Sequence, residues 1–323
     1  MKVFVLALDG VFDTGLSAVL DTLAIANELA PTLGARKKPF AITIIGVRKR
    51  VKTAQGLTIP VVLPDVEVNA RPDMVLVPAL GAKMPDTIAL ALERRDVRDG
   101  IDWLQRWAAQ GALIGAACTG TFVLAESGLL DAQRATTTWW LEPYFRQRFI
   151  NVQLEASNML VKSGNVITAG AALAHLDLAL WLVRSKSPAL AALTARYLVL
   201  DARPSQAAFV IPDHLAHTDP TVERFEHWAR GRLAEGFSLH EAARVTATSE
   251  RTLTRRLNAV LGKSPLAYFQ DLRVERAVYL LQTSKASVEQ VAAAVGYADG
   301  VTLRSLLRRK IGKGVREVRA SPQ

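Results

Sequence analysis

Apolar residues in the first half of the chain fall into short unbroken runs separated by longer amphipathic stretches. Residues 2–8 (KVFVLAL), 40–47 (FAITIIGV), 74–80 (MVLVPAL) and 112–117 (ALIGAA) are runs of the kind found in strands buried on both faces. Between them, residues 16–29 carry apolar side chains at helical spacing. Residues 86–110 also read as helix, with a break predicted near Asp99-Gly100. Strands alternating with helices imply an α/β fold with a mostly parallel sheet covered on both sides. Residues 152–162 and 165–169 follow as strands joined by a turn at Gly164. Residues 172–183 and 188–199 then read as apolar helices.

Residues 201–220 lose this periodicity and hold three prolines, so they read as a linker. Beyond them the pattern is all helical: 221–233, 238–245, 249–261, 265–281, 287–294, 300–310 and a short 315–319. Ser238 before Glu241 and Ser287 before Gln290 have the spacing of capping boxes. Ser249 stands as an N-cap, and Pro265 suits the first turn of its helix. The division is therefore an α/β domain over 1–200, a linker over 201–220 and an all-α domain over 221–323.

Composition narrows the class. Half of the 323 residues are hydrophobic, which excludes wholesale disorder. A single Cys excludes a disulfide framework or a Cys-cluster metal site. No apolar run approaches a membrane span and the first residues lack a signal-peptide pattern, so the cytoplasm is the expected location. The net charge of +10 is uneven: residues 218–323 hold 18 Lys and Arg against 11 Asp and Glu. A basic helical domain points to an anionic partner such as nucleic acid.

The helical domain repeats itself. Ser238-Leu-His-Glu-Ala-Ala and Ser287-Val-Glu-Gln-Val-Ala each open a short helix, a tight turn and a longer helix ending in Gly-Lys. This is helix-turn-helix spacing, with one extra residue in the second turn. In the first long helix Leu253, Leu257 and Val260 share the inward face, leaving Arg251, Thr254, Arg255 and Asn258 outward. In the second, Leu303 and Leu307 face in, and Val301, Arg304, Ser305 and Arg308 face out. Arg and Asn hydrogen-bond base edges in the major groove and Val meets a thymine methyl. Arg256, Lys263, Arg309, Lys310 and Lys313 are placed to neutralise phosphates. A solvated basic face is the alternative for either helix taken alone.

Residues 249–277 (SERTLTRRLNAVLGKSPLAYFQDLRVERA), with 287–312 downstream, resemble the AraC/XylS-type DNA-binding domain. The resemblance implies that the long helix 265–281 holds two recognition helices for successive major grooves, about 34 Å apart. The family usually shows a second Ser-Pro after the second Gly and an aromatic before it, where this chain has Gly314-Val315 and Leu307. Gly300 and Val301 offer few donors, so the second unit is expected to contribute less base specificity.

In the first domain Cys118 follows a buried strand and precedes an apolar helix. A strand–nucleophile–helix turn exposes a side chain above a sheet edge, and a helix N-terminus lowers a thiol's pKa. Residues 117–137 (ACTGTFVLAESGLLDAQRATT) and 166–182 (VITAGAALAHLDLALWL) resemble the ThiJ/PfpI-like domain, a relative of class I glutamine amidotransferases. Fused to an AraC-type domain, the chain looks like the GlxA family of transcriptional regulators. The resemblance implies a flavodoxin-like sandwich that senses a small metabolite, amino-acid-like or a quaternary amine. It also implies a homodimer acting on double-stranded promoter DNA or through RNA polymerase.

Catalytic members of that superfamily pair the elbow Cys with a His and an acid. The position after Cys118 is Thr119, and Thr138 stands where GlxA-type sequences often have His. The loosely aligned acid is Asp13. A thiol without a base is weakly equipped as a nucleophile. Three readings of Cys118 stay open: an amidase or deglycase-like nucleophile, a member of a ligand pocket with Asp13, Thr119, Thr138 and Trp139, or a small core thiol. His175 reads as a packed core histidine. The other histidines form no metal constellation, and no cofactor or metal is implied.

Overall fold

A computed structural model describes residues 1–64, 71–201, 203, 205, 206 and 219–320. The chain forms two compact units, Met1–Gln206 and Ala207–Gln323. The linker reading falls mostly outside the described residues.

In the first unit, strands β1 (Lys2–Leu6), β2 (Ala41–Ile45), β5 (Met74–Val77), β6 (Leu113–Ala117), β9 (Leu160–Ser163) and β10 (Val166–Ala169) form a sheet of order β2-β1-β5-β6-β10-β9. All its pairings are parallel except the β9–β10 hairpin at one edge. The unbroken apolar runs reflect two buried faces. Phe4, Leu6 and Leu8 point into one core with Ile88, Leu104, Trp107 and Phe122, while Val3, Val5 and Ala7 point into another with Leu23, Leu178 and Leu182. Helices α2 (Pro85–Leu92), α3 (Arg95–Ala109), α4 (Gly120–Glu126) and α5 (Glu142–Arg148) supply the first core. Helices α1 (Asp13–Leu29), α6 (Ala174–Lys186) and α7 (Pro188–Tyr197) supply the second. Among the described residues no helix is long and apolar enough to cross a membrane.

The helical break falls at Glu93-Arg94 rather than at Asp99-Gly100. Arg94 is extended, and its guanidinium binds Asp96 and the Asp9 carbonyl. Gly100 instead continues α3 where a side chain would press on Leu8. The span 152–162 is also two elements: β8 (Gln153–Leu154) pairs with β7 (Arg134–Ala135), and only the later part joins the main sheet. A short hairpin of β3 (Arg50–Lys52) and β4 (Thr58–Pro60) gave no sequence signal of its own.

The second unit is helical throughout its described residues: α8 (Pro220–Arg230), α9 (Leu239–Val245), α10 (Glu250–Leu261), α11 (Pro265–Thr283), α12 (Val288–Ala294), α13 (Gly300–Ile311) and α14 (Val315–Ala320). Helix α11 serves two cores. Tyr268, Phe269 and Leu272 are buried in its first half, where Tyr268 and Phe269 meet Phe225, Trp228 and Phe237. Val274, Ala277 and Leu281 in its second half pack with Val291, Leu303, Leu307 and Val318. At 1.5 Å per residue, its 19 residues span about 28 Å.

Candidate nucleic-acid interface and the Cys118 elbow

Both helix-turn-helix units are built by the same local devices. Ser249 Oγ accepts from Thr252 N at 3.2 Å, and Asp299 Oδ1 accepts from Thr302 N at 2.7 Å. Each cap satisfies a free amide in the first turn of a recognition helix. The turns into α10 and α13 pass through left-handed backbone at Ala247 (φ 55°) and Gly296 (φ 79°). Both helices end in left-handed glycines, Gly262 and Gly312. Ser287 and Gln290 form a reciprocal capping box. Ser238 caps α9 alone, because the Glu241 carboxylate pairs with Arg232 at 3.1 Å instead.

Leu253, Leu257 and Leu261 fill the inward face of α10, and Val260 is only half-buried, so the third core position is one residue later than the wheel indicated. Arg251, Arg255 and Asn258 are exposed and Thr254 is half-buried. Among the described residues the Arg251 and Arg255 guanidinium groups meet no ion-pair partner. In α13, Val301 is 66% exposed, and Arg304, Ser305 and Arg308 also face outward. Arg304 is held by Glu289 of α12 at 3.1 Å. Gly300 gives that carboxylate room, since a Cβ there would lie 2.7 Å from Glu289 Oε1.

Arg309 and Lys313 are exposed. Arg256 pairs with Asp219, the N-cap of α8, at 2.8 Å. Lys263 and Lys310, from the two different units, both reach Asp271 of α11, each at 2.8 Å. Such partly exposed pairs are weak and exchangeable.

Cys118 occupies a strained elbow in the first unit, with φ at 54°. Its amide donates to Ala169 O at 2.9 Å, and its carbonyl accepts from Thr137 Oγ1 at 2.9 Å. Thr119 Oγ1 donates to Leu80 O at 2.7 Å. Gly120 packs on the facing loop so closely that a Cβ would lie 2.8 Å from Pro78 O, and nearer still to Val77 O. The position at a helix start suggested a lowered thiol pKa. Burial overturns that expectation: the Cys118 thiol is 3% exposed and its pKa is pushed up to about 12. A hydrogen bond from the Thr119 backbone favours the thiolate but does not offset the loss of solvent.

Thr119, Thr137 and Thr138 surround Cys118. Trp139 is nearly buried, edge-to-face with Trp140 at 5.5 Å. Asp13 Oδ2 accepts from Gln55 N at 3.0 Å, and its Oδ1 is buried with no hydrogen-bond partner among the described residues. His175 is wholly buried; Nδ1 donates to Ala172 O at 2.6 Å and Nε2 accepts from Ala79 N at 3.0 Å. It supports the loop 78–80 that faces the elbow. Gln206, which no sequence pattern singled out, is also fully buried against residues 136 and 137. Among the described residues no group of three or more His, Cys, Asp or Glu is placed to hold a metal ion.

Comparison with known proteins agrees with this two-part construction. The DJ-1/PfpI family matches residues 1–185, and a helix-turn-helix domain family matches residues 242–321. The HTH-type transcriptional regulator GbdR of Pseudomonas aeruginosa is 26% identical over 318 residues, covering 97% of this chain and 83% of its own. The regulator ArgR of the same species is 29% identical over 220 residues, 67% of either chain. GlxA of Rhizobium meliloti is 24% identical over 228 residues, 64% of either chain. The crystal structure of an AraC family transcriptional regulator from Pseudomonas putida shares the first unit's fold, with a TM-score of 0.50 and 19% identity over 61% of this chain and 98% of that one. With more than half of its length matched, the chain belongs to the DJ-1/PfpI family and carries a helix-turn-helix domain after that match.

Proposed function

We propose that the protein is a sequence-specific DNA-binding transcriptional regulator whose first unit senses a small metabolite. The observation that carries this reading is the pair of helix-turn-helix units sharing α11, each presenting a recognition helix with exposed arginines. Arg251, Thr254, Arg255 and Asn258 read bases in the first helix-turn-helix, and Val301, Arg304, Ser305 and Arg308 in the second. Arg309 and Lys313, both exposed, meet phosphates. Arg256 and Lys263 do so by exchanging Asp219 and Asp271 for a phosphate oxygen. Arg304 leaves Glu289 when it engages a base, which makes the second helix-turn-helix the weaker reader.

The first unit acts by population shift: a ligand with different affinities for two arrangements biases DNA binding or polymerase contact. Its effector is an amino-acid-like or quaternary-amine metabolite held near Cys118, Thr119, Thr138 and Trp139, and a face of this unit joins two copies. The site of action is the cytoplasm. A Cys-dependent hydrolase is the poorer reading, because burial pushes the thiol's pKa up to about 12, which leaves almost no thiolate, and threonines, Thr119 and Thr138, stand beside it. Titration against promoter DNA over a range of salt tests the proposal. Specific binding with an Arg255→Ala loss of about 1–3 kcal/mol supports it, and unchanged binding in that variant removes Arg255 from the reading face.

A further inference from the structure

The chain leaves the first unit at Gln206, and it leaves from the interior. Gln206 Nε2 donates to Thr137 O at 2.8 Å and to Ala156 O at 2.6 Å, with Thr136 Oγ1 at 3.4 Å. Its backbone amide donates to Ser157 O at 3.0 Å. Gly170 makes space for it, since a Cβ there would lie 2.7 Å from Gln206 Cδ. Two residues earlier in the chain's approach reinforce the hold. Ser205 Oγ donates to Ser157 O at 2.8 Å, and Arg203 binds Asp177 at 2.6 Å and Leu173 O at 3.0 Å. A connector between domains ordinarily runs over the surface with its polar groups in water. This one ends the first unit by burying an amide side chain.

The residues that hold Gln206 are also the wall of the Cys118 elbow. Thr137 uses its carbonyl for Gln206 and its hydroxyl for the Cys118 carbonyl. Thr136 N donates to Thr168 Oγ1 at 2.8 Å, and Cys118 N donates to Ala169 O, the residue before Gly170. A closed circuit therefore runs from the elbow through Thr137 to Gln206 and back through Gly170 and Ala169.

We infer that Gln206 is a strap tying the chain's exit toward the DNA-binding unit to the wall of the Cys118 site, so that displacing residues 136–138 and releasing the exit are one event. Moving Thr137 deprives Gln206 of its acceptor. Withdrawing Gln206 leaves the carbonyls of Thr137 and Ala156 buried without that donor. Segments that share such bonds open together. The proposed sensing role rests on a ligand causing the displacement; the tie itself does not depend on one.

Cys118 is the only cysteine of the chain and reports on this wall. The full-length protein is labelled with N-ethylmaleimide at constant pH under native conditions, and the adduct is followed by mass spectrometry. Gln206→Ala is expected to accelerate labelling about 10-fold or more, with faster amide exchange at residues 136–138. Arg203→Ala loosens the same segment from its partly exposed end and accelerates labelling less; it carries the test if Gln206→Ala does not fold. Leu190→Ala removes buried apolar contacts from α7 without touching the strap. A wild-type labelling rate in the folded strap variants overturns the inference, as does equal acceleration by Leu190→Ala, which would mean that global unfolding exposes the thiol. Failure of all variants to bind promoter DNA counts against the regulator reading alone, because labelling and exchange are read without DNA.

Discussion

His175 makes the stability of the first unit depend on pH in a direction set by its surroundings. The ring is wholly buried, and burial lowers its pKa from 6.5 to about 4. Nδ1 already donates to Ala172 O, and Nε2 accepts the Ala79 amide, so a second proton would set one N–H against another. Above pH 6.5 the ring is neutral in both folded and unfolded chains and contributes no pH dependence. Below it the unfolded chain takes up a proton that the folded chain refuses, so stability falls with pH until about pH 4. One pKa unit corresponds to about 1.4 kcal/mol, so the loss between pH 7.5 and pH 5 is about 2 kcal/mol. Five of the six tryptophans lie in the first unit, so urea unfolding followed by tryptophan fluorescence reports mainly on it. His175→Gln keeps a donor and an acceptor but cannot titrate, and the difference between wild type and variant isolates the histidine from surface carboxylates. A parallel pH dependence in the two proteins would refute the reasoning.

Gly120→Ala places a methyl group against the carbonyls of Val77 and Pro78, and overpacking of this kind costs about 1–3 kcal/mol in a denaturant titration; a neutral result would mean that the loop 77–78 yields freely. Ala247→Gly relieves left-handed backbone in the first helix-turn-helix turn, where the second has Gly296, and raises the stability of the second unit by about 1 kcal/mol in calorimetry. Asp271→Asn frees Lys263 and Lys310 from their shared carboxylate. Binding to nonspecific duplex should then tighten at low salt by about 0.2–1 kcal/mol per ion pair no longer given up; unchanged affinity would show that neither lysine reaches the backbone.

The sequence carried the element order because hydrophobic periodicity is local. The alternation of Val3, Val5 and Ala7 with Phe4, Leu6 and Leu8 identifies a strand buried on both sides whatever packs against it. The helix-turn-helix units were legible for the same reason, through Ser249, Leu253, Leu257 and Gly262 at fixed offsets. What escaped depends on long-range contact. The break at Arg94 follows from an interaction with Asp9, 85 residues away. The raised pKa of Cys118 follows from burial, which outweighs the helix start visible in the sequence. Gln206 fills a space left by Gly170 and is held by carbonyls about 50 and 70 residues earlier, so no window of sequence contains its role. The base-reading residues were nominated by helical phase, and their exposure in α10 and α13 is what makes the nomination testable.

The most direct test of the central claim is a titration of the full-length protein against DNA upstream of its own and neighbouring genes, with excess nonspecific competitor. Arg251→Ala/Arg255→Ala and Cys118→Ala variants are run beside the wild type. The account predicts saturable binding that survives competitor, is lost in the double arginine variant and is retained in Cys118→Ala. Binding that persists unchanged without both arginines, or that disappears with the thiol, would contradict it.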